Sequence, residues 1–253
     1  MYERELAFAN ELADRADAIS TSYFRGSFGV RHKDDGTPVT EADLAVEEAL
    51  RTAVTGRFPG DAVLGEEHGL EGTGARTWVL DPIDGTKNFA AGIQIWGTLI
   101  ALCLDGEPVV GVASAPALGE RYAAARGHGA TLNGDPIRVS EEKDLSRALL
   151  VWGSLDWAAT AHREAFRSLA REAGRTRAFG DFWSHALVAR GAAAAMMEEE
   201  LRIWDWAAVK VVVEEAGGRV TQLDGSPLSD GGSVLTTNGV LHDELVARLA
   251  GSG

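Results

Sequence analysis

The sequence contains a single cysteine, Cys103, among its 253 residues. Internal disulfides and any zinc site made only of cysteines are therefore excluded. Basic residues are also few, because 24 Lys and Arg stand against 38 Asp and Glu and leave a formal net charge of −14. Such a balance argues against an extended nucleic-acid surface, since phosphate backbones are bound by Lys and Arg.

Long apolar runs are absent as well, and no stretch approaches the roughly 18 apolar residues that a membrane span needs. The N-terminal segment carries acidic side chains throughout and has no long apolar block, unlike a signal or transit peptide. We therefore expect a cytoplasmic protein with no membrane or nucleic-acid partner. One small phosphorylated ligand is compatible with the negative charge, because a bound metal can reverse the local field.

The rest of the composition is that of a globular protein, with 45% hydrophobic and 25% charged residues. The length suits one large domain or two intimate halves, and we expect a single domain over residues 1–253 with approximate halves 1–145 and 146–253. Strand-like and helix-like segments alternate without a low-complexity linker. This pattern predicts layered α/β or α+β packing.

Hydrophobic periodicity and turn residues predict the elements that surround the candidate site. Thr40 is placed as the N-cap of a helix that ends at Phe58-Pro59-Gly60, with Asp43 in its first turn. Further helices are predicted over residues 2–20, 157–172, 182–190, 204–216 and 241–249. Strands are predicted over residues 62–64, 78–80, 149–152, 177–179, 219–223 and 234–237.

Four acidic residues follow apolar strands or open a helix: Glu66, Asp81, Asp84 and Asp205. Carboxylates buried without a partner are costly, so such a group favours a bound cation. Oxygen ligands without histidine or thiolate indicate Mg²⁺ or Mn²⁺ rather than zinc. The alternative for Asp81-Pro82-Ile83-Asp84 is a surface turn stabilised by its own aspartates, but the whole segment after an apolar strand favours a metal site.

Gly85 and Thr86 follow the second aspartate directly. Glycine lets the backbone approach an anion, and N–H groups that open a helix can hold a phosphate. The alternative for Thr86 is a simple helix N-cap. Asp205 after Trp204 also has two interpretations, since it could belong to the metal site or be the N-cap of the helix that follows.

Four segments together resemble the inositol monophosphatase family over nearly the whole chain. They are Gly65-Glu66-Glu67, the run from Trp78 to Phe89 that contains Asp81-Pro82-Ile83-Asp84-Gly85-Thr86, and Trp204-Asp205-Trp206-Ala207-Ala208 with Glu215-Ala216-Gly217-Gly218. The resemblance implies an αβαβα layered sandwich, a Mg²⁺-dependent phosphomonoesterase and a homodimer. It also implies two or three Mg²⁺ ions, which Mn²⁺ can replace.

The resemblance further assigns roles to individual residues. The implied metal ligands are Glu66, Asp81, the Ile83 carbonyl, Asp84 and Asp205. Thr86, with Glu66 and Asp43, is implied to position the attacking water. The implied phosphate and substrate contacts are Asp84, the N–H groups of Gly85 and Thr86, Asp205, and the leaving-group residues Arg177 and Glu198, with Lys33 on a loop that approaches the site. The first half then carries the metal and phosphate motif, and the second half the substrate side.

Within the family, the sequence most resembles the bacterial histidinol-phosphate phosphatases. The segments Thr37-Pro38-Val39-Thr40-Glu41-Ala42-Asp43 and Arg177-Ala178-Phe179-Gly180-Asp181-Phe182 carry this likeness. Histidinol phosphate has an ammonium and an imidazole, for which Asp181 and Glu198 would supply acceptors. The alternative for Asp181 is the N-cap of the helix over 182–190, and His185 is expected to pack within that helix.

The sequence therefore predicts a metal-dependent phosphatase that acts on L-histidinol phosphate in histidine biosynthesis. The alternative within the same fold is a broad-specificity inositol or sugar monophosphatase. A third hypothesis, a non-catalytic metal-binding relative, is disfavoured because every ligand position and Thr86 are present.

Overall fold

The computed structural model describes residues 1–24, 30–32, 38–153 and 162–250, with the backbone alone for 30–32 and for 38 and 39. In these ranges the helices are α1 (Glu3–Tyr23), α2 (Glu41–Arg57), α3 (Thr86–Ala90), α4 (Arg163–Glu172), α5 (Asp181–Ala189), α6 (Ile203–Glu215) and α7 (His242–Ala250). A short 3₁₀ helix spans Leu145–Arg147.

The strands of the same ranges form three sheets. Their bounds are β1 (Val30–His32), β2 (Pro38–Thr40), β3 (Ala62–Gly65), β4 (Gly69–Glu71), β5 (Arg76–Asp84), β6 (Gly97–Leu104), β7 (Glu107–Ala115), β8 (Glu120–Ala125), β9 (Ala130–Leu132), β10 (Asp135–Ile137), β11 (Leu149–Trp152), β12 (Arg175–Ala178), β13 (Ala195–Leu201), β14 (Arg219–Thr221) and β15 (Gly232–Thr237). The large sheet has the order β10-β9-β8-β7-β6-β5-β3-β4, the smaller one the order β12-β11-β13-β15-β14, and β1 pairs with β2.

The helices and the two larger sheets alternate in five layers. Helices α1 and α2 cover one face of the large sheet with a core that includes Leu12, Leu50 and Trp78. Helices α5 and α6 pack between the two sheets around Phe182 and Val209. Helices α4 and α7 cover the outer face of the small sheet. The predicted αβαβα sandwich is therefore confirmed. Across the described residues, none of the helices has the length and apolar character that a membrane crossing requires.

Strand β5 carries the Asp-Pro-Ile-Asp segment in the interior of the large sheet. It pairs in parallel with β3 and antiparallel with β6, and its register with β6 shifts between Asp81 and Asp84. Pro82 lies inside this shift, and its carbonyl accepts a hydrogen bond from the Thr98 hydroxyl at 2.8 Å. Because proline cannot donate to a strand ladder, the strand bulges there. Both aspartates thus reach the sheet edge at which the parallel strand β3 also ends.

Two predicted helix starts differ from the observed ones. Helix α6 has Arg202 as its N-cap, so Asp205 is the third helical residue and the interpretation of Asp205 as an N-cap is wrong. Helix α5 has Gly180 as its N-cap, so Asp181 is the first helical residue, with an unusual φ of 52°. In each case the acidic residue is drawn into the first helical turn, where carboxylates are favoured by the exposed N–H groups.

Candidate metal and phosphate site

Three aspartates from two elements meet at the end of β5. Asp81 and Asp84 come from β5, Asp205 comes from the first turn of α6, and one carboxylate oxygen of each lies within 4.8 Å of the others. Asp81 is 2% exposed and Asp84 is 7% exposed. We call these three residues the aspartate cluster. Its members are 124 residues apart at most in the chain, so only the fold assembles them.

Burial and mutual repulsion raise the pKa values of this cluster. The pKa of Asp81 lies well above 3.8 because of burial first and the negative charge of Glu66 second. The pKa of Asp84 is also raised well above its usual value, again mainly by burial. Burial raises the pKa of Asp205 to about 7, although its hydrogen bond with the Arg202 N–H opposes the shift. A bound cation would reverse these effects.

The donor set fits a hard divalent cation. Among the described residues, Oδ1 of Asp81 is buried and has no hydrogen-bond partner. A group of neighbouring carboxylate oxygens that includes this atom suits Mg²⁺ or Mn²⁺, which prefer oxygen ligands. Glu66, which follows β3, lines the same cavity, as does Ile83. The predicted ligands are thus brought together.

Thr86 is tied to both the metal segment and α2. Its hydroxyl lies 2.9 Å from the Ile83 carbonyl and 3.3 Å from Oδ1 of Asp43, and it can donate to either acceptor. Asp43 is fully buried, and its other oxygen accepts the Thr40 N–H at 2.8 Å in a capping box. Burial raises the pKa of Asp43, which the hydrogen bonds from Thr40 oppose. The predicted pairing of Thr86 with Asp43 is therefore present in the structure.

Gly85 brings the backbone close to the start of α5. It has a φ of 81°, and an added Cβ would lie 3.0 Å from the Ile95 carbonyl oxygen and 3.2 Å from Oδ2 of Asp181. A side chain there is disfavoured by backbone conformation and by space. Oδ2 of Asp84 accepts the Phe182 N–H at 2.7 Å, which joins the metal segment directly to α5.

The cavity has a volume of about 290 Å³ and is lined by further acidic residues. Asp181 accepts a hydrogen bond from the Asn88 amide at 2.8 Å, and burial raises its pKa to about 6. Glu198 lies on β13 against the backbone of Gly153, where an added Cβ would overlap its carboxylate. Lys87 also lines this cavity and contributes a positive charge among these acids.

Two further predicted site residues are Arg177 and Lys33. Arg177 lies exposed on the edge strand β12, and its guanidinium donates to the Thr176 carbonyl at 2.7 Å. It is not among the residues that line the cavity. Lys33 lies outside the described residues, as does the first part of the helix predicted over 157–172.

Sequence reasoning assigned no role to Asn88 and only a packing role to His185. Asn88 donates to both Asp181 and the Ile95 carbonyl, and its position one turn after Gly85 was the available signal. His185 is buried, yet it lines the cavity one turn after Asp181. Its Nδ1 lies 2.7 Å from the Thr236 hydroxyl, and burial lowers its pKa to about 3, so the ring is neutral.

Several known proteins are similar to this chain over nearly their whole length. The chain is 48% identical over 258 residues to the histidinol-phosphatase of Mycobacterium tuberculosis, and the alignment covers 98% of this chain and 99% of that protein. It is 45% identical to the histidinol-phosphatase of Streptomyces coelicolor, with 98% and 97% covered. Among solved structures, an inositol monophosphatase from Anabaena (Nostoc) sp. PCC 7120 is 34% identical, with a TM-score of 0.88 and 99% and 97% covered.

The family model described as the inositol monophosphatase family matches residues 1–252. The Thermotoga maritima IMPase gives a TM-score of 0.90 at 29% identity, with 98% of each chain covered. Together with the aspartate cluster at the end of β5, these matches confirm the predicted resemblance and the predicted phosphatase class. The chain belongs to the inositol monophosphatase family.

Proposed function

We propose that this protein is a metal-dependent phosphatase that hydrolyses L-histidinol phosphate to L-histidinol and phosphate. The observation that carries the proposal is the aspartate cluster beside the Thr86–Asp43 pair, which opens into a cavity lined by further acids. The relatives that are named histidinol-phosphatases support the choice of substrate. A cytoplasmic location fits this role in biosynthesis.

The proposed metal ligands are Glu66, Asp81, the Ile83 carbonyl, Asp84 and Asp205. We infer that they hold two or three Mg²⁺ ions, which Mn²⁺ can replace, because the donor atoms are all oxygens. When bound, the metal would lower the pKa of a water and offset charge on the leaving oxygen. The orphaned Oδ1 of Asp81 supports this assignment.

The chain's own residues orient the nucleophile. The Thr86 hydroxyl donates its hydrogen towards Ile83 or Asp43, so its oxygen lone pairs are left to accept a hydrogen from a water in the cavity. Glu66 lines the cavity and would accept the second hydrogen of that water. The N–H groups of Gly85 and Thr86 at the start of α3, with Asp84 and Asp205 nearby, would frame the phosphate.

Specificity for histidinol phosphate would come from further acidic residues that line the cavity. Asp181 and Glu198 are acceptors that suit an ammonium and an imidazole, whereas an inositol ring offers only hydroxyls. A broad inositol or sugar monophosphatase is the second candidate, since the Anabaena relative carries the name inositol monophosphatase. We keep Lys33 and Arg177 as proposed substrate-side residues from the family resemblance alone.

Phosphate release from a substrate panel tests the proposal. L-Histidinol phosphate, inositol 1-phosphate and fructose 1,6-bisphosphate are compared in EDTA and after addition of Mg²⁺, Mn²⁺ or Zn²⁺. We expect Mg²⁺ or Mn²⁺ to restore activity and histidinol phosphate to have the highest kcat/KM. Restoration by Zn²⁺ alone would refute the ligand assignment, and a preference for inositol 1-phosphate would favour the second candidate. The proposed homodimer is tested by light scattering after gel filtration.

A further inference from the structure

One buried carboxylate near the site has no role in the proposed chemistry. Glu47 lies on α2, is 0% exposed, and follows Asp43 by four residues. Residues four apart share one face of a helix. The face of α2 that supports Thr86 through Asp43 therefore continues, one turn later, through Glu47.

Glu47 contacts the segment that carries Glu66. Its Oε2 accepts the N–H of Glu67 at 2.8 Å, and its Oε1 accepts the N–H of His68 at 3.0 Å. These two amides follow Glu66 directly in the turn between β3 and β4. The N–H of Glu66 itself donates to the Leu80 carbonyl of β5 at 3.2 Å. The backbone on both sides of the Glu66 side chain is thus held.

Arg51 fixes the orientation of the Glu47 carboxylate. Its Nε donates to Oε1 of Glu47 at 2.8 Å, and its guanidinium also donates to the carbonyls of Val63 and Gly69, which lie on either side of the turn. A buried charge pair is favourable when its remaining hydrogen-bonding groups are satisfied. Here the remaining groups are satisfied by the backbone of the turn.

Gly65 makes this approach possible. It does not have a positive φ, so its backbone conformation is open to any residue, but an added Cβ would overlap the carboxylate of Glu47. The requirement for glycine at this position therefore comes from Glu47 and not from the chain conformation. This is a second, independent sign that Glu47 and the turn are fitted to each other.

We propose that Glu47 is a positioning residue that sets the affinity of the metal site by holding the turn that presents Glu66. The inference rests on the proposed role of Glu66 as a metal ligand. Glu47 itself is not among the described residues that line the cavity. Groups that orient metal ligands without contacting the metal typically lower the metal affinity by about 10- to 100-fold when they are lost.

The test measures Mn²⁺ binding by electron paramagnetic resonance in the full chain and in three variants. Glu47→Gln keeps the size of the side chain but presents an amide N–H₂ group where the turn needs an acceptor. Gly65→Ala displaces the same carboxylate from the side of the turn. Val54→Ala is the matched control, because Val54 is a fully buried residue of the same helix that packs in the core beside the large sheet.

We expect Mn²⁺ to bind about 10-fold more weakly in Glu47→Gln and Gly65→Ala. Hydrogen exchange at the amides of residues 67 and 68 should speed up in both variants. Val54→Ala should lower the Tm and leave the Mn²⁺ affinity unchanged. High Mg²⁺ concentrations should restore much of the lost phosphate release in Glu47→Gln.

The inference is overturned if Glu47→Gln lowers the Tm as Val54→Ala does but binds Mn²⁺ as tightly as the unaltered chain. If Glu47→Gln does not fold, Gly65→Ala decides by the same measure. An unaltered chain that binds no Mn²⁺ would overturn both this inference and the proposed metal site. A chain that binds Mn²⁺ with the expected variant effects, yet releases no phosphate from any ester, would refute the proposed function alone.

Discussion

Replacing Asp181 by Asn should separate recognition of the substrate from hydrolysis of its phosphate. Asparagine has the same shape as aspartate and also tolerates the left-handed backbone conformation, which Asp181 adopts with a φ of 52°. Its side-chain oxygen can still accept the hydrogen bond from Asn88. Because Gly180 and not Asp181 is the N-cap, the start of α5 is unaffected. The substitution therefore removes one negative charge and little else.

The size of the effect follows from the bond that is lost. A hydrogen bond to a charged group is worth about 1.5–3 kcal/mol, which corresponds to a loss of roughly 10- to 150-fold in kcat/KM for histidinol phosphate. p-Nitrophenyl phosphate has no ammonium or imidazole, so its turnover should change little. Steady-state rates for both substrates in both proteins give the comparison directly.

Glu199→Gln is the matched control for this experiment. Glu199 lines the same cavity, so its replacement changes the local charge by the same amount without removing the proposed acceptor. We expect Glu199→Gln to affect the two substrates alike. Equal losses on both substrates in Asp181→Asn, or no loss on histidinol phosphate, would refute the assignment of Asp181 and strengthen the inositol-type alternative.

Three further predictions concern the hydrolytic end of the site. Thr86→Ala should lower kcat by about 100-fold or more with little change in KM, because the water is oriented mainly in the transition state; a large rise in KM with kcat unchanged would contradict it. Asp84→Asn should abolish turnover and raise the Tm of the metal-free protein, since it relieves repulsion within the aspartate cluster; near-normal turnover would show that Asp84 is not a ligand. The metal-free protein should also lose stability as the pH rises through about 6 to 7. The reason is that the folded-state pKa values of Asp181 and Asp205 lie above the unfolded value of 3.8. The stability that comes from protonating these two carboxyl groups is therefore complete only below about pH 4. Thermal melts in EDTA across this range check it, with a shallower dependence expected in Asp205→Asn; a Tm that rises with pH in EDTA would contradict it.

Much of the hydrolytic site could be predicted because its signals are local. The predicted N-cap Thr40 and the first-turn Asp43 are confirmed as a capping box, and the helix ends at Arg57, next to the predicted break. The two aspartates of β5 were expected beside each other because only Pro82 and Ile83 separate them, and the proline fixes a tight bend. These relations lie within a few residues of the chain.

The long-range contacts of the site were harder to predict because their partners are distant in sequence. Asn88 and Asp181 are 93 residues apart, and Glu47 meets the N–H of Glu67 across 20 residues. No periodicity links such pairs. The observed start of α6 at Ile203 also depends on tertiary contacts, since Ile203 donates its N–H to Asp230 at 2.9 Å.

Several carboxylates of this site accept a hydrogen bond from a backbone N–H group with one of their two oxygens. Oδ2 of Asp43 accepts a hydrogen bond from the Thr40 N–H, and Oδ2 of Asp84 accepts one from the Phe182 N–H. Oδ2 of Asp205 accepts one from the Arg202 N–H at 2.7 Å. Each side chain therefore loses its rotational freedom when the chain folds. An arriving ligand does not have to freeze these side chains, a step that costs about 0.5–1.5 kcal/mol for each rotamer-rich group. The loss of side-chain entropy that accompanies assembly of the catalytic centre thus occurs during folding and not in each catalytic cycle.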